Sequence, residues 1–86
     1  MEIQELLALN LRRIRVSKGI SQDELALRAG VERAYVGHIE RGAKNPTVQT
    51  LSKLAVALDC DIRDFFETNV DVEGSKATLS PGRRSG

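Results

Sequence analysis

There is no tryptophan in this chain, and one tyrosine and two phenylalanines, Tyr35, Phe65 and Phe66, supply all of its aromatic surface. A core with so few rings has to be filled by Leu, Ile, Val and Ala, a mixture suited to small helical bundles. The single cysteine, Cys60, excludes an internal disulfide and any Cys-rich metal centre. One histidine, no metal-ligand spacing, no carboxylate cluster and no Gly-rich phosphate cradle leave nothing on which to build an enzyme or hold a cofactor. No apolar run is long enough for a membrane span or a signal peptide, so a cytoplasmic protein is expected. Nothing alternates with period two, and no internal repeat is visible. An excess of charge is missing too: 13 Lys and Arg stand against 12 Asp and Glu. Bulk charge therefore does not advertise a polyanionic partner, and basic residues would have to be gathered on one face to bind one.

What the chain does have is helical punctuation. Its 86 residues allow one domain at most, and a core this modest gains from a partner subunit. Leu7, Leu11 and Ile14 share one face of a helix over 6–18, stopped at Gly19. Ser21 caps a second helix, with Glu24 placed to complete a capping box, and Gly30 ends it. A third helix is expected from about Arg33 to Glu40 or Arg41, stopped by Gly42. After the Asn45-Pro46 turn, Thr47 caps a fourth, with Leu51, Leu54, Ala55 and Leu58 on one side. Asp61 caps a short fifth, Ile62 to Glu67. Past Thr68 the periodicity is lost. The expected layout is a five-helix, all-α domain over 1–69 and a flexible tail over 70–86.

The informative stretch is Gln22 to Arg41, QDELALRAGVERAYVGHIER. A helix-turn-helix crosses two short helices at roughly 90–120° over a turn of about three or four residues. Close crossing demands a small residue where one helix passes over the other, and Ala26 stands there. The turn demands a left-handed residue, and Gly30 stands there. Leu25, Ala29, Val31, Val36 and Ile39 fall where the two helices face each other and the core.

This stretch resembles the helix-turn-helix of the phage repressor and Cro family, also called the XRE family. The likeness runs from about Leu7 to Phe66 and takes in LRRIR, SQDELA, IERG, NPT and LSKLAVALD. RAYVGHIERG followed by NPT looks, more narrowly, like the controller proteins of restriction-modification systems. The resemblance implies a compact lambda-repressor-like domain whose third helix enters the DNA major groove. It places Glu32, Arg33, Ala34 and His38 at base-contact positions. Arg33 suits guanine O6 and N7, Glu32 a cytosine N4 donor, and Ala34 a thymine methyl. Gln22 matches a phosphate-binding position at a helix N-terminus. The family glutamate at Glu40 pairs with a first-helix arginine, here Arg15. Tyr35, Arg41, Lys44 and Asn45 are placed to meet the DNA backbone, which sets register and affinity.

A single recognition helix covers too few bases, so a homodimer on double-stranded DNA is expected. Helix five supplies the expected dimer surface through Ile62, Phe65 and Phe66, because two adjacent phenylalanines cannot both face one small core. The other class kept in view is a protein-interaction module, antitoxin-like or coactivator-like, that keeps the fold without specific DNA binding.

Overall fold

The computed structural model describes residues 1–69. Within them the chain forms α1 (Ile3–Ser17), α2 (Gln22–Ala29), α3 (Arg33–Glu40) and α4 (Val48–Leu58), then one short 3₁₀ segment, Ile62–Phe66. The architecture is all-helical, with no strand among the described residues. The expected tail, 70–86, lies outside them.

Each helix starts where a side chain can satisfy its unpaired N–H groups. Helix α1 begins three residues earlier than its apolar period suggests. The reason is a reciprocal capping box between Glu2 and Glu5, which recruits Ile3, a residue left 61% exposed. Ser21 caps α2 by accepting from Glu24 N–H at 3.0 Å. The return half of the expected capping box is not made, because the Glu24 carboxylate takes Arg28 at 2.7 Å instead. Thr47 caps α4 through Thr50 N–H.

The helices also end alike. Gly19, Gly30, Gly42 and Asp59 each adopt a left-handed backbone just past a helix. At Gly30 the pattern is complete: its N–H returns to Leu27 O at 3.3 Å and that of Val31 to Ala26 O at 3.0 Å, satisfying the orphan carbonyls of the last turn. Asp59 does the same at φ 55° with a side chain in place.

The expected fifth α-helix is a 3₁₀ turn ending at Phe66. Asp64 N–H bonds Asp61 O at 2.8 Å, an i to i+3 step, and Asp61 and Asp64 close a capping box around it. Five residues offer too few α-type hydrogen bonds to recover the cost of a wider turn.

Leu7, Leu11 and Ile14 of α1 meet Leu25, Ala26 and Ala29 of α2, Val36 and Ile39 of α3, and the inward row of α4, Leu51, Leu54, Ala55 and Leu58. Phe65 plugs this aliphatic core and is fully buried. It is thereby removed from the expected dimer surface. The backbone of a one-turn segment can turn only one of two adjacent side chains inward, and the inward one is Phe65. Phe66 and Ile62 stay partly exposed.

Asn10 is the buried polar group of this core. Its amide donates to Phe65 O at 2.9 Å and Glu67 O at 3.1 Å, while its oxygen accepts from Arg13 at 3.1 Å. The end of the 3₁₀ turn is tied to α1 through this one side chain. The sequence carried the signal, a polar residue one turn after Leu7 on the buried face, but not the partner.

Candidate nucleic-acid interface

Helices α2 and α3 pack directly on each other, and the contact rests on small and branched residues. Ala26 is buried where α3 passes, and Val36 and Ile39 fill the space beneath α3. This fixes the roll of α3: with those two inward, Glu32, Arg33 and Ala34 are exposed at its start.

A buried polar network locks the far end of the same helix. Arg15 Nε donates to Glu40 Oε2 at 2.6 Å and its Nη2 to Oε1 at 3.0 Å, the parallel two-bond geometry that guanidinium and carboxylate favour. Arg15 Nη1 donates to Ile20 O at 2.8 Å. Only 12% of the Arg15 side chain and 3% of the Glu40 side chain reach solvent. The hydrogen bond to Glu40 holds the Arg15 guanidinium even more firmly charged than usual, outweighing its partial burial. Glu40 is the last residue of α3, where the helix dipole disfavours an anion. Arg15 compensates that charge and so pins α3 to α1.

Gln22 completes the network, donating from Nε2 to Glu40 Oε1 at 2.9 Å. Gln22 thereby braces α3, a role the sequence did not reveal, while its side chain stays half-buried and its second amide hydrogen is not engaged among the described residues. A buried carboxylate with an unfilled lone pair is a stronger local acceptor than solvent, and the first turn of α2 is within reach. Gln4 adds a further tie, Nε2 to Gly42 O at 3.0 Å, which steadies the loop after α3. Sequence periodicity gave no hint of it.

On the outer surface, Glu32 stands at the N-cap of α3 and its side chain caps nothing. Arg33 is 64% exposed and lies 2.9 Å from Asp23 of α2, itself 78% exposed. His38 is half-buried, one turn after Ala34. Its Nδ1 accepts from Arg41 Nη2 at 2.7 Å, a guanidinium having donors only. Gly37 is buried, and a Cβ there would stand 3.3 Å from Arg41 Nη1 and 3.7 Å from Gln22 Oε1. The missing side chain makes room for Arg41 to fold along the helix. Tyr35 is half-buried against the core. Lys44 and Asn45 are exposed in the connection to α4. Glu32, Arg33 and Ala34 thus stand exposed at the start of α3 and Arg41 just past its end, with His38 half-buried and Lys44 and Asn45 exposed in the following connection, while Phe65 lies in the core.

A family model described as Helix-turn-helix matches residues 11–65, which takes in the second half of α1, all of α2, α3 and α4, and Phe65. The chain belongs to the HTH_3, XRE-type helix-turn-helix family. Control protein C.SmaI of Serratia marcescens is 42% identical over 62 residues, covering 72% of this chain and 74% of that one. An uncharacterized HTH-type transcriptional regulator of Sinorhizobium fredii is 43% identical over 58 residues, covering 67% and 75%. Among solved structures, the restriction-modification controller protein C.AhdI of Aeromonas hydrophila superposes with a TM-score of 0.72 at 41% identity, over 73% of this chain and 96% of that one. This XRE-type domain is thus a DNA-binding module of transcription regulation, with relatives both among general regulators and among restriction-modification control proteins.

Proposed function

We propose that this domain is a sequence-specific transcriptional regulator that binds a palindromic operator as a homodimer, working in the cytoplasm. The observation that carries the reading is the division of α3 into two faces. One face is buried and locked by Arg15, Glu40 and Gln22. The other offers Glu32, Arg33, Ala34 and His38 to whatever approaches. A helix held this rigidly presents base-reading groups with little entropy left to lose on binding. Arg33 reads guanine, Glu32 and Ala34 the neighbouring bases, and His38 a base one turn further along. Tyr35, Arg41, Lys44 and Asn45 fix the register on the backbone. The dimer surface is Ile62 with Phe66, as Phe65 is spent on the core.

The deciding experiment is selection of bound sequences from a random duplex pool. The expected product is a two-fold symmetric consensus with guanine in each half-site. Recovery of unenriched sequence, with binding that only tracks salt, would defeat the reading.

A further inference from the structure

The Asp23–Arg33 pair sits at the leading edge of the surface proposed to meet DNA, and it is an odd thing to find there. An acid at that edge repels phosphate and lowers affinity for every sequence. As an exposed pair it contributes little to folding. Its geometry suggests another use. Asp23 Oδ1 is 2.9 Å from Nε of Arg33, an ion pair without an aligned N–H···O bond, so the carboxylate sits beside the stem end of the guanidinium. Among the described residues the two terminal nitrogens make no hydrogen bond, and as a coplanar pair they can match guanine O6 and N7 end-on. An untethered arginine would sample many rotamers, including those that reach a phosphate.

We propose that Asp23 is a positioning residue for base readout, holding Arg33 end-on toward guanine and away from the backbone. General affinity is given up and selectivity is gained. The inference rests on the reading of α3 as the base-reading helix. A purely local role for Asp23 has a built-in control. Asp23 lies in the first turn of α2, where any carboxylate favours the helix dipole. Glu24 lies in that same turn but pairs with Arg28 at 2.7 Å. Glu24→Gln therefore removes the same charge from the same turn without touching Arg33.

The test titrates the full chain against three duplexes: its selected site, that site with the guanine replaced, and random sequence. Thermal melting of each variant checks folding. Asp23→Asn is expected to bind random duplex more tightly, while its preference for the selected site falls about three- to tenfold, part of the discrimination of one bidentate contact. The loss should centre on the base pair that Arg33→Ala relaxes. In an Arg33→Ala background, Asp23→Asn should leave preference unchanged. Asp23→Glu, which keeps the carboxylate, should retain most of it, and Glu24→Gln should shift affinity for all three duplexes alike. Unchanged base preference in Asp23→Asn, or an equal loss in Glu24→Gln, overturns the inference while the base-reading role of α3 stands. A wild-type chain without any base preference overturns both.

Discussion

Arg33 and Glu40 occupy one short helix and do opposite things. Arg33 is mostly exposed, so its substitution leaves the fold nearly untouched. Arg33→Ala is expected to weaken binding to the selected site by about 1–3 kcal/mol and to relax one base pair per half-site. Equal weakening on specific and random duplex, in the same titration, would reassign it to phosphate. Glu40 is the buried member of its pair. Glu40→Ala strands the Arg15 guanidinium and the Gln22 amide, and should cost about 3–5 kcal/mol in denaturant unfolding. A variant as stable as wild type would show that Arg15 finds water instead. Cys60 adds a pH test. Burial first, and the nearby Asp64, push its thiol pKa up, so the folded state keeps its proton longer than the unfolded chain does. Stability linked to this group is therefore intact below the ordinary thiol range, about 8.5, and falls as the pH rises above it. Thiol alkylation should be slow in the native protein and fast in denaturant. Equal rates in the two states would contradict the burial.

At the scale of elements, the helix ends divide the labour. Gly30 has open space where a Cβ would stand, but its φ is 72°. Gly30→Ala should thus be destabilising by strain alone, about 1–2 kcal/mol. Asp59 holds the equivalent place after α4 at φ 55°, already carrying the strain that alanine would add at Gly30. Asp59→Gly relieves it, and a gain of up to about 1 kcal/mol is expected, a few degrees in melting temperature for a domain of this size. Melting curves of the two variants should move in opposite directions, and a shift of the same sign would show that local hydrogen bonding, not φ, governs these caps. The caps at Ser21, Thr47 and Asp61 were legible in the sequence because a cap and the N–H it serves lie within three residues. Glu2 was not, because the turn it starts lies ahead of the apolar period that marks α1. Nor was the weakness of the fifth helix. Asp61 and Asp64 mark a start equally well for an α or a 3₁₀ turn, and over five residues the tighter turn is the one formed.

At the scale of the molecule, assembly turns on which phenylalanine faces in. Phe65 is wholly buried, so Phe65→Asp should abolish the fold. Phe66 and Ile62 pack only partly on their own core. A two-fold axis through that patch buries the same surface on both subunits and is proposed to set two recognition helices about 34 Å apart, one turn of DNA. Phe66→Asp is expected to give helical monomers that bind the palindrome far more weakly. Sedimentation decides the matter: wild-type protein still monomeric at roughly tens of micromolar would remove the proposed dimer.

The amino-acid sequence by itself determined α2, α3 and α4, the caps at Ser21, Thr47 and Asp61, the helix-turn-helix crossing at Ala26 and Gly30, and the aliphatic core. These depend on spacing of three or four residues, or on which residues are small or apolar, and both are written along the chain. Partnership across the fold was decided by the tertiary structure. Gln22 turns to Glu40, 18 residues away, and Asn10 to Phe65, 55 residues away. The Arg15–Glu40 pairing came from family likeness, and its two-bond geometry came from the packing of α1 against α3. Arg33 finds Asp23 only because two helices cross there. A side chain that has several acceptors of similar strength along the sequence is assigned to one of them by where the packed backbones put it, and no local pattern carries that information.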